Sequence, residues 1–330
     1  MFWDRDRLLL ALSTKKLKLS VKPQSHAGLM YKSYVDFYGI NFVAAECARE
    51  QTIQVVPSLD HDVVLQRFLP NQDRDIGRQA LILHGYFDHT GLYRHLVKHL
   101  LDLGISVFIF DLPGHGLSSG KRAAIKSFNQ YQSCLKSVVT TQLDLNRPTY
   151  LIGQSTGAAV IADMLSASSD SGLADTLQQS FKQLDAIFLA PLLKPVAWVK
   201  AEILHSLVRG RKAYWPRTFR DNSHDEEFLR FIKEKDPLQH QELSVEWVGA
   251  LRDWLPAMLS RPRYQGLSNI TIIQGTEDET VDWRYNLNVY RKLFPLGSVV
   301  TIRGAGHHLV AESENYRDNV FAAIDRAMGL

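Results

Sequence analysis

Cysteine is scarce in this chain: Cys47 and Cys134 are the only two among 330 residues. They lie far apart, which excludes a disulfide framework and allows one bridge at most; buried free thiols are the simpler expectation. Charge of one sign is scarce too. Thirty-eight Lys and Arg stand against 35 Asp and Glu, a formal net charge of +3. That is too small an excess to argue for nucleic acid as a partner. No apolar run is long enough to cross a bilayer. Internal repeats and low-complexity tracts are missing, which excludes repeat architectures.

What remains is ordinary for a soluble globular protein, with 45% hydrophobic and 22% charged residues and ample length for a large core. The length fits two domains or one α/β domain carrying an insertion. Near the start, Leu8-Leu9-Leu10-Ala11-Leu12 is short, lacks a following small-residue cleavage site and precedes Lys15, Lys16 and Lys18. This predicts a helix packed on the domain rather than a secretory signal, and the expected location is cytoplasmic, with peripheral contact at the inner membrane face as an alternative.

Along the chain, Tyr34 to Ala44 reads as a tyrosine-rich strand and Val63 to Leu69 as a second strand ended by Pro70. From there strands and helices alternate. Strands are predicted over 79–83, 105–110, 149–152, 186–189, 270–273 and 299–302, and helices over 92–103, 128–143, 158–165 and the C-terminal segment. Such alternation implies right-handed parallel crossovers. It pauses after Pro191. The stretch up to Ile270 is helical in pattern and holds Trp198, Trp215, Trp247 and Trp254, four of the six tryptophans. It reads as a helical lid inserted over the carboxyl edge of the sheet, because a simple crossover needs far fewer residues.

Ser155 carries the most chemical information. It sits in Gly153-Gln154-Ser155-Thr156-Gly157, between an apolar strand and a helix. Strand, sharp turn and helix give a G-x-S-x-G pattern its meaning: the turn presents the hydroxyl at the carboxyl end of the sheet. Small residues are needed at Gly153 and Gly157, where side chains would collide with the neighbouring strand and helix. A serine hydroxyl needs a base to take its proton, and the base needs an acid to fix its tautomer. In this arrangement the order along the chain is Ser, acid, His.

The segment after Ile270–Ile273 runs Gln274-Gly275-Thr276-Glu277-Asp278-Glu279-Thr280-Val281-Asp282. Asp278 is the best-placed acid, just past the strand end; Glu277, Glu279 and Asp282 are its rivals. The final strand leads into Gly304-Ala305-Gly306-His307-His308, a small-residue loop able to deliver either histidine. Spacing alone does not separate the neighbours. An oxyanion hole needs two backbone donors: the N–H of Thr156, after the nucleophile, and the N–H of Tyr86, in the loop His84-Gly85-Tyr86 after the 79–83 strand. His84 is expected to hold that loop by hydrogen bonding. His95 and His99 have i, i+4 spacing, but no Glu or Cys completes a metal set, so no metal is expected.

Several motifs in order make the chain resemble the α/β-hydrolase superfamily, and within it the monoacylglycerol lipase and lysophospholipase branch of serine aminopeptidase-like hydrolases. His84-Gly85-Tyr86-Phe87-Asp88-His89-Thr90-Gly91-Leu92-Tyr93 resembles that branch's HG-x-x-E-H-x-x-x-Y stretch, with Asp88 in place of the glutamate. Asp111 to Gly120 resembles its D-x-x-GHG-x-S-x-G loop, and Arg122 with Ser127-Phe128-Asn129-Gln130-Tyr131 its continuation. Asp278 matches the family's G-x-x-D acid. Gly304 to Glu312 resembles G-A-x-H-x-x-x-x-E, which puts His307 in the catalytic place. The resemblance covers roughly residues 60 to 330 and implies a mostly parallel sheet flanked by helices, with an inserted lid. One departure stands at the elbow: Gln154-Ser155-Thr156-Gly157-Ala158 replaces the usual H-S-M-G-G, so Gln154 and Thr156 should change the pocket wall.

The expectation is a serine hydrolase of carboxylic esters built on Ser155, Asp278 and His307, with Tyr86 and Thr156 as oxyanion donors and no cofactor. The expected organisation is an N-terminal extension (1–33), a first core part (34–193), the lid (194–266) and a second core part (267–330). The implied partner is a lipid-like monoester, a monoacylglycerol or lysophospholipid, with Gln154 beside it. Lid aromatics Trp198, Trp215, Phe228, Phe231, Trp247 and Trp254 are expected along an acyl slot. Arg209, Arg211, Lys212, Arg217 and Arg220 form a basic stretch suited to a phosphate head group, an anionic membrane surface or simple solvation. Three other readings use the same fold. A proline iminopeptidase-type peptidase would need an acidic amine site such as Asp225, Glu226 and Glu227. A carbon–carbon bond hydrolase would use the same triad, and a ligand-binding protein would need none of it.

Overall fold

A computed structural model describes residues 3–12, 16–20, 23, 25–167, 180–266 and 268–330. Met1, Lys15 and Leu267, which fall within the expected N-terminal segment and domain bounds, lie outside these residues.

The centre is a nine-stranded sheet: β1 (Leu17–Lys18), β2 (Ala48–Pro57), β3 (Asp62–Pro70), β4 (Gln79–Leu83), β5 (Ser106–Phe110), β6 (Thr149–Gln154), β7 (Leu184–Leu189), β10 (Ile270–Gly275) and β11 (Ser298–Ile302). Its order is β1-β2-β3-β5-β4-β6-β7-β10-β11. The first three strands pair antiparallel, β3 joins β5 antiparallel, and every pair from β5 to β11 is parallel. Parallel strands must be covered on both faces. Strand side chains alternate accordingly: Leu81 and Leu83 pack with one hydrophobic cluster, Ala80 and Ile82 with the other. On the first face lie α4 (Phe128–Gln142), α5 (Thr156–Ser166) and α9 (Trp283–Leu293). On the second lie α1 (Arg5–Leu12), α2 (His26–Phe37), α3 (Arg94–Asp102) and α10 (Glu314–Met328). Leu8 and Leu12 are buried, so the short N-terminal apolar run packs on the domain.

The tyrosine-rich strand expected over 34–44 is corrected. Tyr34 to Phe37 ends the helix α2, and turns follow it. Ser25 caps the start of that helix by accepting from the Gly28 N–H at 3.1 Å. Tyr31, Tyr34, Val35 and Tyr38 then share its buried face. Aromatic strand propensity was overridden by a helical spacing and a cap. The strand that pairs with β3 is instead β2, which the sequence reading did not pick out, and residues 33 and 34 both fall within α2.

Between β7 and β10 the chain builds a cap from α6 (Trp198–Val208), β8 (Tyr214–Pro216), α7 (Glu226–Glu234), β9 (Glu242–Ser244) and α8 (Val245–Leu259). It is not purely helical: β8 and β9 form an antiparallel ladder, Trp215 facing Leu243. Helix α6 packs closely on α8 because position 249 is glycine; a Cβ there would come 2.9 Å from His205 Nε2. The cap is tied to the end of α2 and to the loop after β4 by a buried cluster. Asp236 accepts from the Tyr38 hydroxyl at 2.8 Å and from His89 Nε2 at 2.8 Å. His89 Nδ1 accepts the Gly91 N–H, so the Asp236 bond is made by Nε2–H. Cys47 is half-buried and Cys134 buried, both as free thiols.

Candidate active site

Ser155 ends β6 and begins α5 with φ 52° and ψ −109°, a left-handed backbone conformation that a residue with a Cβ adopts only under constraint. Packing supplies the constraint. A Cβ on Gly153 would fall 2.4 Å from the Ala158 nitrogen, and one on Gly157 would fall 2.1 Å from the Leu83 carbonyl oxygen. Both glycines let strand and helix close around the serine. The Ser155 N–H donates to the Leu189 carbonyl at 2.8 Å, which anchors the turn to the next strand. The hydroxyl sits at the N-terminus of α5, where developing negative charge is favoured.

Asp278 lies just beyond β10 and is buried, whereas Glu277, Glu279 and Asp282 are exposed. Asp282 caps α9, accepting from the Tyr285 N–H at 3.2 Å. The Asp278 Oδ2 is 2.7 Å from His307 Nδ1 and also accepts from Gln274 Nε2 at 2.9 Å. Its Oδ1 accepts the Thr280 and Val281 N–H groups at 2.9 and 3.0 Å. Burial works to raise this carboxyl group, but the His307 ring and these donors outweigh it and hold its pKa below the ordinary value. A charged carboxylate only accepts, so His307 Nδ1 carries the hydrogen and Nε2 keeps its lone pair.

The two neighbouring histidines are thereby separated. His307 meets Asp278, while His308 Nε2 lies 3.1 Å from Asp88 Oδ2. Asp88 also accepts from the Gly85 N–H and the Tyr93 hydroxyl. Burial opposes its charge; the His308 ring, His84 and Tyr93 more than offset this and lower its pKa. The histidine loop is tight rather than loose. A Cβ on Gly306 would come 2.8 Å from the Asn222 carbonyl oxygen, and the fully buried Glu312 accepts the Gly306 N–H at 2.6 Å and the His224 N–H at 2.8 Å. Glu312 thus clamps this loop to the cap.

Tyr86 follows β4. The loop runs beside the serine: a Cβ on Gly85 would stand 3.5 Å from Ser155 Cβ. His84 holds it, accepting the Leu112 N–H on Nε2 at 2.8 Å and donating from Nδ1 to the Gly85 carbonyl at 2.8 Å. The Tyr86 ring stacks on Trp247 of the cap, with centroids 3.8 Å apart, and its hydroxyl donates to the Ala123 carbonyl at 2.7 Å.

Ser155, His307, Tyr86, Thr156 and Gln154 all line one cavity of about 300 Å³, with Trp198, Trp215 and Trp247 of the cap. No hydrogen bond joins the Ser155 hydroxyl to His307 among the described residues. Gln154 does more than line the wall: its Nε2 donates to the His307 carbonyl at 2.9 Å, linking the elbow to the histidine loop. Trp254 is a correction. It lies outside the cavity, stacked on Phe128 at 4.4 Å, with its indole N–H donating to Asp163 at 3.0 Å. Trp247 and Trp254 share a face of α8, but seven residues of helix set Trp254 about 10 Å farther along the axis than Trp247. Phe228 and Phe231 also fall outside, beside Phe37 and Tyr38 in a smaller cavity.

The basic stretch is split by its geometry. Arg217 and Arg220 line the cavity; Arg209, Arg211 and Lys212 are exposed beyond the end of α6. His99 is occupied by Asp325 at 2.7 Å. Gln274 was missed in the sequence; the signal was a buried polar side chain directly after the apolar pair Ile272-Ile273.

A mostly parallel sheet with a strained serine elbow, an Asp–His pair on later strand ends and a cap over them defines an α/β-hydrolase. The sequence signature of the family described as Serine aminopeptidase, S33, matches residues 77–314, and the chain belongs to that family. Human monoglyceride lipase is 36% identical over 86 residues, 25% of this chain and 28% of that protein. Monoacylglycerol lipase of Mycolicibacterium smegmatis is 26% identical over 91 residues, 27% of this chain and 32% of that protein. The chain therefore spans about a third of the length of these curated relatives. Among solved structures, a soluble variant of Saccharomyces cerevisiae monoglyceride lipase aligns with TM-score 0.69 at 16% identity, covering 84% of this chain and 95% of that one. Paleococcus ferrophilus monoacylglycerol lipase aligns with TM-score 0.64 at 18% identity, covering 81% and 98%. At these identities the structural likeness speaks for the fold.

Proposed function

We propose that this protein hydrolyses lipid-like carboxylic monoesters through an acyl-enzyme on Ser155. The observation that carries the reading is His307, paired with the buried Asp278, lining one cavity with a serine held in a strained elbow. In this mechanism His307 Nε2 takes the Ser155 proton as Oγ attacks the acyl carbon. The oxyanion meets the Tyr86 and Thr156 N–H groups, and His307 returns the proton to the departing alcohol. Water then repeats the sequence on the acyl-enzyme and frees the acid. The residues supply every proton transfer from within the site. Trp198, Trp215, Trp247, Leu243, Val248 and Ile232 give the cavity the apolar wall an acyl chain needs.

The peptidase reading gains no support from the cavity. Asp225 caps α7, accepting the Phe228 N–H at 2.9 Å, and neither it nor Glu226 or Glu227 lines the wall around Ser155. The test is an ester series from short acyl chains to monoacylglycerol and lysophosphatidylcholine. Turnover should rise with acyl length and be abolished by a serine-directed fluorophosphonate. Turnover that ignores acyl length, or that survives the inhibitor, overturns the reading.

Contact with a lipid surface belongs to the same proposal. No helix among the described residues is long and apolar enough to cross a membrane. Helix α6, however, is apolar on both faces. Trp198 and Ala201 face the cavity, while Val199, Ile203 and Leu207 are 67%, 58% and 65% exposed. Exposed Lys200, Arg209, Arg211 and Lys212 border that outer stripe, a charge complement to anionic lipid. Replacing both Ile203 and Leu207 by Asp should weaken sedimentation with phosphatidylcholine–phosphatidylglycerol vesicles by at least about tenfold, from the apolar area lost. Equal partitioning of the variant and the parent protein would refute the contact.

A further inference from the structure

Arg217 is a half-buried cation of the cavity wall that, among the described residues, no carboxylate contacts. It follows β8, and its guanidinium is sandwiched between Phe87 at 3.9 Å and Phe219 at 4.3 Å. Nη1 donates to Gln239 Oε1 at 2.7 Å and to the His240 carbonyl at 3.3 Å, both neutral acceptors. Among the described residues, Nε and Nη2 make no hydrogen bond, and no carboxylate lies within ion-pair distance. The carboxylate in the same wall, Asp88, favours the Arg217 charge through space from beyond ion-pair distance, but its oxygens already accept the Gly85 N–H and the Tyr93 hydroxyl, with His308 Nε2 3.1 Å away. Arg220 in the same lining adds a second cation, bonded among the described residues only to the Glu279 carbonyl. Burial lowers the Arg217 pKa to about 10, which still leaves the group fully charged at neutral pH.

Taking a cation partly out of water with no carboxylate in contact is costly. The flanking rings offset part of that cost and fix the plane of the guanidinium, but they do not neutralise it. A planar cation held rigid with one edge of donors open presents the fork that matches phosphate or carboxylate in a two-bond contact. Taking the ester-hydrolase reading above as its basis, we propose that Arg217 binds an anionic group of the substrate, phosphate or carboxylate, so that the site selects charged lipid monoesters over neutral monoacylglycerol. The exposed cations Arg211 and Lys212 lie outside this cavity and have no part in that selection.

Binding tests this without requiring turnover. Non-hydrolysable ethers are titrated calorimetrically into Ser155→Ala protein: 1-O-dodecylglycerol 3-phosphate, the same ether ending in a carboxylate, and neutral 1-O-dodecylglycerol. At least one anionic ether should bind about tenfold or more tightly than the neutral one, and whichever does identifies the anion. Arg217→Gln and Arg217→Met, the latter keeping an unbranched stem between the rings, should abolish the preference; Arg217→Lys should keep part of it. Thermal melts establish which variants are folded. Two results would overturn the proposal: equal binding of neutral and anionic ethers by the parent, or a preference that persists in a folded neutral variant. Kinetics on the parallel esters separate this from the broader reading. Failure of the enzyme to cleave any ester would sink the hydrolase reading, while ether binding would still report on Arg217.

Discussion

Ser155→Ala is expected to lower kcat on any ester the protein cleaves by a factor on the order of 10⁴ to 10⁶. The reason is that no neighbouring group can replace the nucleophile. Among the described residues lining the cavity besides Ser155, Tyr86, Thr156, Thr218 and Thr280 carry hydroxyls, but the Tyr86 hydroxyl donates to the Ala123 carbonyl, the Thr156 Oγ1 is buried without a hydrogen-bond partner, and none of the four is hydrogen-bonded to a histidine. The fold should survive. Alanine carries the same Cβ through the φ of 52°, so the strain of the elbow is unchanged, and no side-chain hydrogen bond to His307 is lost. The check is steady-state kinetics beside a thermal melt. Retention of activity within tenfold of the parent, in a protein that melts normally, would mean that Ser155 is not the attacking group.

Asp278→Asn should cost about 10⁴ in kcat and leave KM little changed. The carboxylate fixes His307 with its hydrogen on Nδ1. Asparagine can turn its NH₂ toward Nδ1, which places the hydrogen on Nε2 and removes the base from the serine side. The surrounding donors enforce this outcome. Gln274 Nε2 and the Thr280 and Val281 N–H groups all point at the carboxylate, so the amide cannot accept every bond that the acid accepts. Measuring kcat and KM for Asp278→Asn, Glu277→Gln and Glu279→Gln separates the cluster. The exposed Glu277 and Glu279 variants should stay within about twofold, as surface substitutions do. A large loss in either of them, with Asp278→Asn active, would reassign the acid.

The elbow and the acid show why the candidate residues were legible before the fold was known. A glycine two residues either side of a serine, between a buried strand and a helix, has few structural uses, because only glycine fits the contacts with Ala158 and Leu83. Asp278 and His307 were legible because each follows a short apolar run, and parallel strands deliver the loops at their carboxyl ends to one edge. The histidine pair was different. Spacing alone left His307 and His308 open; the family motif favoured His307, and in the structure the two meet different carboxylates, His307 meeting Asp278 and His308 lying by Asp88.

The cap was the least legible part. Its tryptophans are alike in sequence, yet Trp247 stacks on Tyr86 in the cavity wall and Trp254 stacks on Phe128 beneath the cap. Helical periodicity sets which face a residue occupies, not what stands opposite that face. The same holds for Arg211 and Arg217, six residues apart in one basic stretch, one in solvent and the other between two aromatic rings.

By itself the sequence determined the strand–helix alternation, the serine elbow, the chain order of serine, acid and histidine, and the family motifs, because all of these are written in local patterns of burial and turn chemistry. Tertiary structure alone decided that Trp254 is core and that Arg217, rather than Arg211, lines the cavity with Ser155. Those outcomes depend on contacts between residues far apart in the chain, and no local pattern encodes which distant neighbour will be present.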